Sequence, residues 1–190
     1  KAGNEITDNA PLRGGKGMLY EGGIRVPYVF RWTGKIPAGA TSDRPINGVD
    51  LYPTLLELSG GQAKATLDGS SYLPLLLSGG RERPDRDPMY WHFPGYLATS
   101  RGSWRTTPAG AIRDGDWKVV EFFETNKVEL YNLHDDPGEK HDLAAEQPDR
   151  ANALHAKLVA WREAVKAPMP TPHTPDPNAA ARKKAARGRR

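Results

Sequence analysis

The chain has 190 residues, no cysteine and a net charge of +4, and it contains no apolar run of the roughly 20 residues that a membrane span needs. The lack of cysteine excludes disulfides, thiolate metal sites and a cysteine nucleophile within this chain. Six basic side chains lie in residues 182–190, and without them the net charge falls from +4 to −2. A nucleic-acid-binding domain normally carries its positive charge on the folded body, so this distribution argues against one.

The first half of the chain predicts a loop, a strand and two helices. Residues 1–15 are polar and glycine-rich and predict a loop, and the apolar, aromatic run 25–32 predicts a buried strand. Residues 50–59 predict a helix with Asp50 as its N-cap and a glycine pair at its end. Three apolar side chains of that helix share a face: Leu51, Leu55 and Leu58. A second short helix is predicted at 72–77.

The second half predicts a small antiparallel sheet covered by one helix. A change of composition at 81–88 indicates a linker before the sheet. The strands are predicted at 89–93, 111–113, 117–122 and 128–132, with a hairpin turn at Asp114-Gly115. Residues 148–165 predict an amphipathic helix, with Leu154, Leu158, Trp161 and Val165 at helical spacing. The proline-rich and then basic segment 167–190 predicts an extended or disordered tail. The predicted divisions are therefore 1–80, 81–166 and 167–190.

One short stretch carries the chemistry. Lys16 lies between Gly14-Gly15 and Gly17, and a second pair, Gly22-Gly23, follows. Glycines let a backbone approach an anion closely and expose its N–H groups, which suits a ligand with several oxygens. The spacing does not match the nucleotide-binding loop G-x-x-x-x-G-K-[ST], because Gly17 and then Met18 follow Lys16 where that pattern requires Ser or Thr. The local sequence alone leaves open a surface turn with a solvated lysine.

The blocks around this lysine closely resemble the type I sulfatases, the formylglycine-dependent enzymes of the alkaline-phosphatase-like superfamily. The resemblance covers residues 10–165, and its blocks follow the order of the family. The main ones are Pro11-Leu12-Arg13-Gly14-Gly15-Lys16-Gly17, Tyr20-Glu21-Gly22-Gly23-Ile24-Arg25-Val26-Pro27, Val49-Asp50-Leu51-Tyr52-Pro53-Thr54-Leu55-Leu56, Ala111-Ile112-Arg113 with Gly115-Asp116-Trp117-Lys118, and Glu129-Leu130-Tyr131-Asn132-Leu133 with Asp136-Pro137 and Glu139.

The resemblance implies a role for each part of the lysine motif. It places Lys16 on an oxygen of the sulfate group, which makes this side chain the expected catalytic and substrate-binding residue. Tyr20 and Glu21 are expected to anchor the loop, and Arg25 is expected to form a structural ion pair. An ammonium placed beforehand in a dry site stabilises the charge that develops when a sulfate ester is cleaved.

Two parts of the family's machinery are absent from this sequence. Members use a formylglycine made in a C/S-x-P-x-R motif, and they bind calcium through an aspartate pair and a later Asp-Asn pair. Neither that motif nor the aspartate pair occurs here. Asp8-Asn9 lies in a polar loop and matches the slot before the Pro-Leu-Arg block better than it matches a metal site. We therefore assign no metal ligand, and expect the calcium ligands and the formylglycine upstream.

The expected fold is α/β: the C-terminal part of an alkaline-phosphatase-like sulfatase fold, with a small subdomain of an antiparallel sheet plus a helix. The expected function is hydrolysis of aryl or carbohydrate sulfates by the full-length protein, while the isolated chain is expected to be inactive. The alternatives are a non-catalytic binding or structural module and a related phospho- or phosphonate-ester hydrolase. The family implies a periplasmic or secreted protein. The sequence leaves the oligomeric state open.

Other side chains are weaker candidates. His92, among aromatic residues, is a candidate substrate contact, although a packed strand histidine fits equally well. Tyr96 and Arg101 could shape substrate choice, but a solvated loop is favoured. The acidic run 135–139 lacks the alternating ligand spacing of a calcium loop and predicts a turn with a solvated acidic face. The basic tail is interpreted as a solubilising terminus rather than a binding segment.

Overall fold

The structure, a computed structural model, describes residues 8–82, 88–98 and 104–171. The first half contains α1 (Glu21–Ile24), a 3₁₀ turn (Gly48–Asp50), α2 (Leu51–Leu58) and α3 (Leu73–Leu77). The second half contains β1 (Met89–Phe93), β2 (Leu97–Ala98), β3 (Trp104–Thr106), β4 (Ala109–Asp114), β5 (Trp117–Phe122) and β6 (Lys127–Asn132), followed by α4 (Pro148–Ala164). These elements confirm the predicted α/β character and the antiparallel sheet with one covering helix.

The main sheet has four antiparallel strands in the order β1-β4-β5-β6. Strands β4 and β5 form the predicted hairpin, in which Asp114 pairs with Trp117 across a two-residue connection. Gly115 in that connection has φ +60, a backbone conformation that favours glycine in tight hairpins. Strands β2 and β3 form a separate two-stranded ribbon, which the sequence did not predict.

Helix α4 covers one face of this sheet, which we call the helix face. Its buried leucines, Leu154 and Leu158, pack with Ile112, Val119 and Leu130 from three neighbouring strands. Because side chains alternate between faces along a strand, every second residue of β4, β5 and β6, out of phase with Ile112, Val119 and Leu130, points to the opposite side. We call that opposite side the loop face.

The run 25–32 is not a strand, which corrects the prediction. It forms neither helix nor strand and pairs with no strand in the described ranges, and Val29 is 92% exposed. A strand needs hydrogen-bonded neighbours, and the apolar pattern alone does not supply them. The predicted face of α2 is also exposed, since Leu51, Leu55 and Leu58 are each more than 40% accessible.

Asp50 precedes α2, as predicted, but its carboxylate does not cap that helix. It accepts hydrogen bonds from the backbone N–H groups of Asn47 (2.7 Å) and Ser70 (2.9 Å) instead. The predicted chain divisions at residues 80 and 166 stay predictions. Among the described residues the longest helix is α4, with 17 residues and many charged side chains, and no helix qualifies as a membrane span.

Candidate functional site

Residues 13–22, which we call the lysine loop, place Lys16 at the tip of a tight turn. The N–H of Met18 donates to the carbonyl of Gly15 at 3.0 Å, which closes a four-residue turn with Lys16 and Gly17 at its centre. Gly17 has φ +90, as the third position of a type II turn requires. A Cβ at Gly17 would lie 2.1 Å from Leu97 of β2, so this turn packs directly against the β2–β3 ribbon.

The second glycine pair is needed where the two ends of the lysine loop meet. The N–H of Gly22 donates to the carbonyl of Arg13 at 2.8 Å, and the side chain of Asn9 donates to the carbonyls of Gly14 and Gly22. A Cβ at Gly22 would lie 2.5 Å from the Gly14 oxygen, and a Cβ at Gly23 would lie 2.1 Å from the Met18 oxygen. Any side chain at these positions would separate the ends of the loop.

Lys16 itself is exposed, and its ammonium has no hydrogen-bond or ion-pair partner in the described part of the chain. The guanidinium of Arg105, on β3, donates to the Lys16 carbonyl at 3.3 Å. Two positively charged residues therefore lie side by side, and no ion pair joins either of them to an acid among residues 8–82, 88–98 and 104–171. An anionic ligand is the chemical complement of such a surface.

The start of the lysine loop is fixed to the sheet by Arg13. Its guanidinium donates to the hydroxyl of Tyr131 (2.8 Å) and to the carbonyl of Glu139 (3.0 Å). It also lies 3.8 Å from the centre of the Tyr20 ring, a cation–π contact between the two ends of the loop. The two hydrogen bonds join residues that are more than 100 positions apart in the sequence.

The end of the lysine loop is fixed by the two residues that were predicted to anchor it. Tyr20 donates to a carboxylate oxygen of Glu129 at 2.7 Å. Glu21 is only 1% exposed, and its carboxylate lies 2.9 Å from the ammonium of Lys118 and 3.7 Å from the guanidinium of Arg113. The prediction that Tyr20 and Glu21 are anchors is confirmed.

Glu139 corrects the prediction of a solvated acidic turn. Its side chain is fully buried, with one oxygen 2.8 Å from the Lys118 ammonium and the other accepting the N–H of Glu21 at 2.6 Å. Asp136 keeps the turn in shape by accepting the N–H groups of Lys140 and His141. That shape turns Glu139 inward, whereas Asp135 faces solvent as predicted.

The carboxylates of this network have pKa values shifted in opposite directions. Burial alone would raise the pKa of Glu129, but hydrogen bonds from Lys127, Tyr20 and Tyr131 outweigh it and lower the pKa. Burial raises the pKa of Glu139, and the attraction of Lys118 offsets only part of that effect. The hydroxyl of Tyr20 has a raised pKa because it is buried and donates to Glu129, so it is a neutral donor at neutral pH.

His92 and Lys16 are not brought together. His92 pairs with Gly110, which lies against Leu158 of α4, so the imidazole is on the helix face, opposite the lysine loop. Its Nε2 lies 2.7 Å from the carbonyl of Pro168, where it acts as donor, and its ring packs 5.5 Å from that of Phe123. A substrate contact by His92 stays a prediction. Tyr96 is exposed and donates to Glu124, and Arg101 lies outside the described residues.

Two further expectations concern charged residues before and after the loop. Arg25 is exposed and forms no ion pair with any described residue, so the predicted structural pair is absent from residues 8–82, 88–98 and 104–171. Asp8 accepts the N–H of Ala10, and Asn9 supports the lysine loop, so both are engaged in a turn.

No cluster of three or more His, Asp or Glu side chains in the described ranges is arranged to hold a metal ion.

Sequence reasoning missed the residues on the sheet that hold the lysine loop, although a signal was present. Lys118 lies between apolar neighbours in β5, and Glu129 occupies the same face of β6. Charged side chains inside apolar strands are rarely buried unless they are paired. This pattern indicates a charged contact on the loop face, but it does not name the partner.

Comparison with known proteins decides the family. The family model described as "N-sulphoglucosamine sulphohydrolase, C-terminal" matches residues 15–164. The chain belongs to the sulfatase family. This sulfatase chain is 36% identical over 170 residues to a protein named "Sulfatase" from Formosa agariphila, covering 82% of the chain and 30% of that relative. The chain thus spans between about a fifth and a third of the length of the relatives it matches.

Two solved structures resemble this sulfatase chain in fold. A structure of Ps i-CgsB in complex with k-i-k-neocarrahexaose is 31% identical, has a TM-score of 0.67, and is matched over 81% of this chain and 32% of that one. A structure of BT4656 in complex with its substrate D-glucosamine-2-N,6-O-disulfate is 25% identical, with a TM-score of 0.56, over 70% of this chain and 27% of that one. Both neighbours support the C-terminal sulfatase fold.

Proposed function

We propose that this chain is the C-terminal part of a sulfatase that hydrolyses sulfate esters, and that Lys16 binds an oxygen of the sulfate group. The observation that carries the proposal is the placement of an exposed ammonium, with no partner among the described residues, at the tip of a loop whose ends are fixed by a buried charged network. A cleaved sulfate ester develops negative charge on its oxygens, and a fixed cation stabilises that charge.

The substrate that fits best is a sulfated carbohydrate. The positive charge of Arg105, beside the lysine loop, favours a ligand with a further anionic group, such as a second sulfate or a carboxylate. The disulfated sugar bound to BT4656 as its substrate is of this chemical class. Aryl sulfates would use Lys16 alone and would gain nothing from Arg105.

The family generally depends on calcium and formylglycine, and we propose that both are supplied by residues outside this chain. The described residues contain no cluster that fits a metal ion, and the sequence contains no C/S-x-P-x-R motif. The exposed apolar side chains of α2 and of Val29 support this division, since a face of this kind is normally covered by further protein. From the family we also infer a periplasmic or secreted location.

The test is turnover of an aryl sulfate and of a disulfated hexosamine by the complete gene product that contains this chain, with calcium present. Replacing Lys16 by Ala should lower kcat/KM by about a hundredfold or more on both substrates. Lys64→Ala is the matched control, because Lys64 is also an exposed lysine and lies outside the loop, and it should leave turnover unchanged.

Purified residues 1–190 should show no turnover, with or without added calcium. Turnover by this segment that Lys16→Ala abolishes would contradict the proposed division of labour. Wild-type turnover in the complete Lys16→Ala protein would contradict the sulfate-binding role.

A further inference from the structure

The position of the Lys16 ammonium depends on the backbone that carries it. The ammonium has no protein partner in the described ranges, so no side-chain contact there fixes it. The loop is instead fixed at its two ends, at Arg13 and at Tyr20-Glu21. Any residue that holds both ends at once therefore controls where the cation points.

Glu139 is such a residue. Its carbonyl accepts the guanidinium of Arg13 at the start of the loop, at 3.0 Å. Its carboxylate accepts the N–H of Glu21 at the end of the loop, at 2.6 Å. The same carboxylate lies 2.8 Å from Lys118, which is also 2.9 Å from the Glu21 carboxylate, so one buried ammonium links the two acids.

The fit around Glu139 is close enough to transmit a shift. The preceding residue, Gly138, is buried, and a Cβ there would lie 2.9 Å from the carbonyl oxygen of Pro11. Glu139 itself has φ +51, a backbone conformation that non-glycine residues rarely adopt, and the surrounding contacts hold it there. The turn and the loop therefore pack backbone to backbone as well as through charges.

We infer that Glu139 is a positioning residue, which sets the place of the Lys16 ammonium by holding both ends of the lysine loop. This inference rests on the proposed role of Lys16 and extends it to a residue more than 100 positions away. Glu139 touches neither substrate nor reacting atoms. It acts through the loop, and its removal misplaces the cation.

The experiment is a double-mutant cycle in the complete gene product. Glu139→Gln keeps the size of the side chain but removes its charge, and it should lower kcat/KM by roughly 10- to 100-fold, the effect of a small misplacement of a catalytic group. In a Lys16→Ala background the same substitution should have almost no further effect, because there is no cation left to misplace. A residue that only stabilises the fold would instead give effects that multiply.

The matched control is Glu121→Gln, which removes a carboxylate from the helix face of the same sheet. Glu121 is nearly buried and pairs with Arg162 at 2.6 Å, but it does not contact the lysine loop. It should lower the melting temperature without lowering kcat/KM. Hydrogen exchange gives a second readout: the amides of Glu21 and Gly22 should lose protection in Glu139→Gln and keep it in Glu121→Gln.

If Glu139→Gln fails to fold, Arg13→Lys is measured in its place, because Arg13 is partly exposed and donates to the backbone carbonyl of Glu139. The inference would be overturned if the losses of kcat/KM caused by Arg13→Lys and Lys16→Ala multiply in the double variant. It would also be overturned if Glu121→Gln lowers kcat/KM as much as Glu139→Gln does. If Lys16→Ala itself has no effect, the proposed sulfate contact fails, and the hydrogen-exchange comparison still decides whether Glu139 holds the loop.

Discussion

The two faces of the four-stranded sheet differ in their main contacts, although the helix face also carries the Glu121–Arg162 ion pair. On the helix face, leucines of α4 pack with apolar side chains of three strands, and each such burial contributes about 1.5–3 kcal/mol with little dependence on direction. On the loop face, the contacts are ion pairs and hydrogen bonds, which require particular atoms at particular distances. The helix face therefore gives stability that tolerates small changes, and the loop face gives a position that does not.

The loop face should respond most strongly to the loss of one charge. Lys118→Met leaves two carboxylates, those of Glu21 and Glu139, buried without their shared partner. Breaking a buried pair in this way costs about 3–5 kcal/mol. Urea unfolding should show this loss, and sulfatase activity should fall with it. If Lys118→Met keeps the wild-type activity, the loop face contributes to stability alone.

The helix face should separate stability from activity. Leu158→Ala removes a side chain that is 1% exposed, and we expect it to cost about 2–4 kcal/mol through lost burial and a remaining cavity. Below its new melting temperature the variant should keep the wild-type kcat/KM, because Leu158 packs on the helix face, opposite the lysine loop. A large loss of kcat/KM at a temperature where the variant is folded would show that the two faces are coupled.

A methyl group placed against the lysine loop should have a smaller effect on stability and a specific effect on activity. In Gly23→Ala the new Cβ meets the carbonyl of Met18, so the turn that carries Lys16 must shift. Overpacking of this kind costs about 1–3 kcal/mol. The control is Gly48→Ala, where a Cβ meets nothing within 4 Å, and it should change neither unfolding nor turnover.

The pH dependence should differ between carboxylates of the loop face. The folded-state pKa of Glu129 is lowered, so its contribution is present above the unfolded pKa and is lost as pH falls through the folded value. Glu139 has a raised pKa, so its contribution is present below the unfolded pKa and is lost as pH rises through the folded value. The drop in the free energy of unfolding between neutral and acid pH should therefore be smaller in Glu129→Gln than in the wild type, by on the order of 1 kcal/mol. Urea unfolding at several pH values measures this drop.

An acid profile steeper in Glu129→Gln than in the wild type would contradict this assignment. The opposite sign at Glu139 provides an internal check. In Glu139→Gln the free energy of unfolding should still fall steeply as the pH is lowered, because Glu129 remains.

The sequence predicted the helix face well because its signals are periodic. The spacing of Leu154 and Leu158, and the Asp114-Gly115 turn, depend only on neighbouring residues and were confirmed. The position of Lys16 in a glycine loop was also predicted, since the motif is local. These features need no knowledge of what lies far away in the chain.

The remaining features depend on distant partners, and there the sequence was insufficient. Glu139 was interpreted as solvated because no neighbouring residue in the sequence indicates that Lys118 and the N–H of Glu21 are its partners. The run 25–32 was interpreted as a strand because its composition suits one, but no described strand pairs with it. Local side-chain pattern therefore misplaced these residues with respect to burial as well as to their partners, because both depend on distant parts of the chain.

The separation between the lysine loop and Glu139 has a consequence for synthesis. The bond between the N–H of Glu21 and the carboxylate of Glu139 spans 118 positions. At a translation rate of about 5–20 residues per second, the loop leaves the ribosome roughly 6–24 seconds before that partner is made. A nascent chain stalled before Glu139 would carry the complete lysine loop without the partner that fixes its end. The ability to bind sulfate should therefore arise late in translation, when Glu139 is added.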